Sequence, residues 1–142
     1  MDMRSLSPSF AVAPQILPED VPTLVEAGVT AVICNRPDME NPVELRADVL
    51  RAAVEAAGLA FHDNPVVGGG LSLADVEAQA RVIAETEGTV LAYCASGTRS
   101  AILWAFAIAG RVATDDILSA LSQAGYQLEG MRPQLDALAA QR

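Results

Sequence analysis

The chain has 142 residues, 51% of them apolar, and a formal net charge of −9, with arginine as its only strongly basic residue type. That length fits one ordinary domain with enough apolar material for a single core. The acidic balance argues against nucleic acid and anionic membrane surfaces as partners. The longest wholly apolar run, Ala101–Ala109, falls far short of the ~20 residues that span a bilayer. Two widely separated cysteines and a start without a basic-then-apolar signal pattern point to the cytoplasm and to no structural disulfide.

In chain order, Phe10-Ala-Val-Ala13 predicts a short strand ended by Pro14, and Pro18-Glu-Asp20 opens a helix that Gly28 stops. Val29-Thr-Ala-Val-Ile-Cys34 is rich in β-branched residues and predicts a strand ending in the polar turn Asn35-Arg36-Pro37-Asp38. Residues 42–57 place Val43, Ala47, Leu50 and Val54 in a helical stripe, with Gly58 as the stop. A strand restarts at Leu59 and runs into His62 and Asp63. The glycines Gly68 to Gly70 then predict a mobile break before Ser72 caps a helix to Glu87, with Leu73, Val76, Ala80 and Ile83 inward. Thr89 to Tyr93 is the next strand, Ser100 to Ala109 a buried helix, and helices over 114–124 and 131–140 follow, the last with Leu135 and Leu138 inward. Strands alternating with helices predict an α/β fold of three layers, a mostly parallel sheet with helices on both faces.

The most informative segment is Cys94-Ala95-Ser96-Gly97-Thr98-Arg99, between the last strand and the buried helix. Backbone N–H groups of such a loop converge with a helix N-terminus on one point and favour an anion there. Thiols in such fields ionise at roughly pH 3.5–7.5 against about 8.5 when free, so Cys94 is the candidate nucleophile. Ala95, Ser96, Gly97 and Thr98 form the substrate-binding loop, with Gly97 supplying a permissive backbone. Arg99 offers a planar fork for an oxyanion. Ser100 either donates to the thiolate or leaving group, or simply caps the helix. Asn35, Arg36, Asp38, Asp63 and Cys34 are accessory candidates at the sheet's carboxyl edge, where α/β proteins bind ligands. Cys34 would trap an oxidised Cys94 if the two approached within about 7 Å between Cα atoms; otherwise it is strand packing. His62 reads as structural or pocket-lining. The one histidine and two cysteines lack metal-ligand spacing, and no cofactor is required.

Through Ala13-Pro-Gln15, Pro18-Glu-Asp20, Ala27-Gly-Val29, Asn35-Arg-Pro-Asp-Met-Glu40 and Ser96-Gly-Thr-Arg-Ser100, the chain resembles the phosphatase-like domain of the beta-lactamase-hydrolase-like family. The resemblance implies a dual-specificity-phosphatase-like fold whose chemistry lies at Cys94 and Arg99, and some members of the family are described as sulfurtransferases. Tyrosine phosphatases typically carry His-Cys and five residues before the arginine, whereas here Tyr93 precedes Cys94 and four residues separate it from Arg99. A loop of that length is similar to the rhodanese cradle, which suits a persulfide.

A phosphatase also needs a proton donor for the leaving oxygen. The segment from Asn64 to Leu71 contains no carboxylate, which leaves Asp63, Asp75, Asp38 or Glu40 as substitutes. The favoured expectation is sulfur transfer from a small anionic sulfane-sulfur substrate, through a Cys94 persulfide, to a thiol acceptor. Phosphomonoester hydrolysis through a phosphocysteine and non-catalytic anion binding are the alternatives.

Overall fold

A computed structural model describes residues 1–67 and 70–142; Gly68 and Gly69, within the run expected to be mobile, lie outside the described residues. Five strands, β1 (Arg4–Ser7), β2 (Phe10–Ala13), β3 (Val29–Cys34), β4 (Ala60–Asp63) and β5 (Thr89–Tyr93), form one sheet in the order β1-β2-β5-β3-β4. All neighbours are parallel except β1, which pairs antiparallel with β2. β5, the strand that delivers Cys94, is central, with β2 and β3 on its two sides.

Alternation along the strands builds two cores, one on each face. Ala11, Ala13, Val32, Cys34, Leu91 and Tyr93 face the helices α1 (Val21–Glu26) and α2 (Ala47–Ala56), where Leu24, Leu50 and Val54 close the packing. Phe10, Val12, Ala31, Ile33, Val90 and Ala92 face α4 (Thr98–Ile108), α5 (Thr114–Gln123) and α6 (Arg132–Gln141). Phe10 stacks on Trp104 there, with ring centroids 6.2 Å apart. Between α4 and α3 (Leu73–Glu85), Val66, Val76, Leu103 and Ala107 form a third cluster. The three-layer α/β expectation therefore holds.

The corrections are local. The strand β1 has no counterpart in the sequence reading, because Arg4-Ser-Leu-Ser7 is an edge strand that buries only Leu6. The second helix begins at Ala47 rather than Pro42: Val43–Leu45 is a short 3₁₀ turn, and Val43 is 63% exposed. The helix α3 ends at Glu85, and Leu73 points to solvent while Gln79 takes a buried place on the inward stripe.

Candidate active site: a cysteine cradle with an occupied arginine

Cys94 follows β5 directly and is fully buried. Its amide donates to the Ala13 carbonyl, and the Asn35 amide donates to the Tyr93 carbonyl, so the ends of β2 and β3 brace the loop from both sides. The chain then turns through Gly97, whose φ of +90° caps α4. Its amide donates to Cys94 Sγ at 3.1 Å, an interaction that strengthens when the sulfur carries negative charge. Any side chain at Gly97 would collide with the Tyr126 hydroxyl, which donates to the Ser96 carbonyl at 3.4 Å. Ala95 and Ser96 are exposed at the mouth, and the Ser96 hydroxyl donates to that of Thr98 at 3.1 Å. Among the described residues the Gly97 amide donates to the sulfur, whereas the Thr98 amide donates to Ser96 Oγ at 3.4 Å.

Arg99 is placed as expected but is already engaged. Its Nη1 and Nη2 donate to the two carboxylate oxygens of Glu40, each at 2.8 Å, and Nη1 also donates to the Val66 carbonyl at 2.7 Å. Arg36 approaches the same carboxylate with Nε at 3.5 Å from Glu40 Oε1, and its Nη1 donates to Gln15 Oε1 at 3.3 Å. Hydrogen bonds from Arg99 hold the Glu40 carboxyl below its ordinary range, with Arg36 adding to the effect. Glu40 is therefore a poor proton donor. The same bonds raise Arg99, and the nearby Cys94 sulfur contributes in the same direction.

Ser100 departs from both sequence expectations. Gly97, not Ser100, caps α4, and the Ser100 hydroxyl donates to Asn35 Oδ1 at 2.8 Å. Its one hydrogen is committed there and does not serve the Cys94 thiolate. Asn35 belongs to a buried amide network. Its Nδ2 donates to the Asn64 carbonyl and to Gln79 Oε1, while its Oδ1 accepts from Gln79 Nε2. Asn64 Nδ2 donates to the Asp75 carbonyl and to Gln79 Oε1. This network joins the ends of β3 and β4 to α3 and α4. Asn35 is thus a support beneath the loop.

The remaining accessory candidates lie elsewhere. Cys34 aligns with Tyr93 on one side and Asp63 on the other, and its resolved neighbours are Tyr93, the Arg36 carbonyl, Asp63 and Asp38. Burial pushes its thiol up to about 11, and the two carboxylates add to the rise. It packs on the α1/α2 face, paired across the sheet with Tyr93, the residue that precedes Cys94. The Tyr93 hydroxyl, which lacks a well-formed hydrogen bond, sits beside the Cys34 sulfur. Asp63 is raised, chiefly by burial and then by Asp38. Asp38 accepts the Ala47 amide at 2.8 Å and so fastens the start of α2. Asp75 closes a capping box with Ser72. Asp38, Glu40 and Asp75 thus each have a structural partner, and Asp63 lines a cavity at β4. His62 lines a cavity with Arg51, Asp63 and Arg81 at the outer strand β4.

Sequence reasoning missed Glu40 as the partner of Arg99, Gln79 and Asn64 in the network, and Tyr126 against Gly97. Only Gln79 left a signal: it lies three residues after Val76 and four before Ile83, inside an inward stripe that has no other need of an amide. The Arg99–Glu40 and Tyr126–Ser96 contacts span 59 and 30 residues and leave no local pattern.

A family model for the phosphatase-like domain of beta-lactamase hydrolase-like protein matches residues 2–111. The chain belongs to this family. Beta-lactamase hydrolase-like proteins of Xylella fastidiosa (strain Temecula1) and Agrobacterium fabrum are each 34% identical to it, over 130 and 110 residues, or 90% and 76% of this chain. The chain spans only 30% and 26% of those relatives' lengths. A crystal structure of a candidate phosphatase from Neisseria meningitidis superimposes with a TM-score of 0.83 at 33% identity, covering 97% of this chain and 99% of that one. Tk-PTP in its active form gives a TM-score of 0.76 at 15% identity, covering 99% of this chain and 97% of that one. PTPMT1 in complex with PI(5)P gives 0.75 at 15% identity and covers 99% of each chain. Those two likenesses establish the fold, that of the tyrosine and dual-specificity phosphatases.

Proposed function

We propose that the domain transfers sulfane sulfur through a persulfide on Cys94. The observation that carries the proposal is the engagement of Arg99: both arms of its fork are held by Glu40 beside a sulfur already met by the Gly97 amide. Arg36, Arg99 and Glu40 together carry a single net positive charge, which balances one sulfur anion. A dianionic phosphoryl group would meet the Glu40 carboxylate where it needs the guanidinium. The short loop supports the same conclusion, with four residues between Cys94 and Arg99.

In the reaction, the Cys94 thiolate attacks the outer sulfur of a sulfane donor. The bond from that sulfur to the rest of the donor breaks, and the remainder leaves with the electron pair. Cys94 then holds the sulfur as a persulfide anion among the loop amides. An acceptor thiolate attacks the outer sulfur and releases the Cys94 thiolate. No net oxidation occurs and no cofactor is consumed. Two free cysteines suit a reducing compartment, and we assign the domain to the cytoplasm. Among the described residues, no helix is long and apolar enough to cross a membrane.

Phosphomonoester hydrolysis is the second reading, favoured by the likeness to the candidate phosphatase of Neisseria meningitidis. Cys94 would form a phosphocysteine that water cleaves. Intact-mass measurement after brief exposure to a sulfane donor, and separately to an aryl phosphate, decides between the two. A gain of one sulfur atom that disappears in Cys94→Ser supports sulfur transfer. A phosphoryl adduct with phosphate release overturns it, and ligand binding undiminished in Cys94→Ser without either adduct marks a non-catalytic anion binder.

A further inference from the structure

Arg99 also lines a cleft of about 200 Å³ whose other walls are Val66, Leu71 and Ile102. Arg99 and Ile102 lie three residues apart on α4 and so share one face of the helix. The Val66 side chain is buried in the cluster with Val76, Leu103 and Ala107, and Leu71 packs against that cluster. The apolar wall is thus an extension of the core, and it begins at the guanidinium beside the reactive sulfur. The cleft is smaller than the ~300–1,000 Å³ of pockets that enclose a drug-sized ligand. It has room for a phenyl ring or a short alkyl chain. Its lining offers one charged group and no acid, amide or hydroxyl side chain among the described residues.

We infer that the sulfur donor is an organic monoanion whose aryl or short alkyl group occupies the cleft of Val66, Leu71 and Ile102, with its outer sulfur directed at Cys94. This assignment rests on the sulfur-transfer function proposed above. For a thiosulfonate donor the step balances without a further reactant: Cys94–S⁻ + R–SO₂–S⁻ → Cys94–S–S⁻ + R–SO₂⁻. The bond between the sulfonyl and outer sulfurs breaks, the sulfinate leaves with the electron pair, and no proton moves. With the Cys94 thiolate in place, a monoanionic donor brings less unbalanced negative charge into the site than inorganic thiosulfate, which carries two charges. Ile102 and Leu71 then act as specificity-determining residues that touch the donor's organic group.

The test compares benzenethiosulfonate with methanethiosulfonate, which share the reacting sulfur and charge and differ in the organic group, and with inorganic thiosulfate. Rates of persulfide formation on Cys94 are read by intact mass, and each is divided by that donor's rate with free N-acetylcysteine. The benzene donor is expected to lead by about tenfold or more, the scale on which apolar pockets discriminate. The lead is expected to shrink to within about twofold in Ile102→Asn and in Leu71→Ser, with the methane donor still accepted. The two substitutions lie on different elements, so a folding defect in one leaves the other informative. Equal normalised rates in the wild type, a thiosulfate preference, or a lead that survives both substitutions would overturn the cleft assignment while leaving sulfur transfer standing. No persulfide from any donor overturns both.

Discussion

Cys94 and Cys34 end neighbouring strands of one sheet, are both buried and are both free, yet their surroundings are opposites. Cys94 faces donors: the Gly97 amide, the open start of α4 and, close by, the Arg99 guanidinium. Cys34 faces a carbonyl, a buried phenol and the carboxylates of Asp63 and Asp38. Burial raises the Cys34 thiol, and the neighbouring carboxylates add to the rise. Position at the carboxyl edge of the sheet is therefore not enough to make a nucleophile. What matters is which side of the strand the sulfur occupies and what the following residues present to it.

The largest effect should come from exchanging the two sulfurs for inert groups. Cys94→Ser is expected to abolish the persulfide adduct and all turnover, whereas Cys34→Ala should leave transfer rates within a few-fold of wild type. A comparable loss in both variants, measured by intact mass and steady-state rates, would break the contrast. Next in size is Glu40→Gln, which releases the Arg99 fork from a carboxylate. Sulfur transfer should fall by about tenfold, on the scale of one charge-assisted pair, while inorganic phosphate should compete more strongly for the site. Steady-state transfer rates read the first change and phosphate inhibition of Cys94 alkylation the second, and unchanged competition would show that Glu40 does not govern access to Arg99.

Stability provides a subtler probe of the same contrast. Gln79→Ala removes three hydrogen bonds from the Asn35 and Asn64 amides beneath the loop, and we expect a loss of about 2–3 kcal/mol in a denaturant titration. Cys34 adds a pH dependence of known sign. Its folded thiol is pushed from 9.0 up to about 11, so between those values the unfolded chain has released a proton that the folded chain keeps. Stability from this group is intact below pH 9 and is lost as pH rises through about 11, by on the order of 2 kcal/mol. Unfolding melts of wild type and Cys34→Ala across that window should converge at high pH. Alkylation should report the same shift, with Cys34 protected until the pH approaches about 11.

The fold was legible because its causes are local. Val29 to Cys34 and Thr89 to Tyr93 are apolar runs bounded by turn residues, and the loop from Cys94 to Arg99 lies in one stretch of chain between a strand and a helix. Legibility ended where a partner came from a distant segment. Glu40 reads as a substitute acid until the fold brings Arg99, 59 residues away, against it. Val43 fitted the helical stripe of Ala47, Leu50 and Val54, but the 3₁₀ turn after Pro42 moved it off that face. Ser100 had both of its expected tasks taken, one by Gly97 as cap and one by Asn35 as hydrogen-bond acceptor.

Ser100 supplies the smallest and most discriminating prediction. Were its hydroxyl a donor to the Cys94 thiolate or to the leaving group, Ser100→Ala would slow transfer by the ~10²-fold or more typical of a lost proton donor or oxyanion contact. In the structure the hydrogen goes to Asn35 Oδ1, which retains the Gln79 Nε2 hydrogen bond when the serine is removed. The expected outcome of Ser100→Ala is a stability loss of about 1 kcal/mol, one net buried hydrogen bond, with persulfide formation within about threefold of wild type and an unaltered pH profile. A hundredfold slower reaction with unchanged stability would return the hydroxyl to the sulfur and require it to turn away from Asn35 during the reaction.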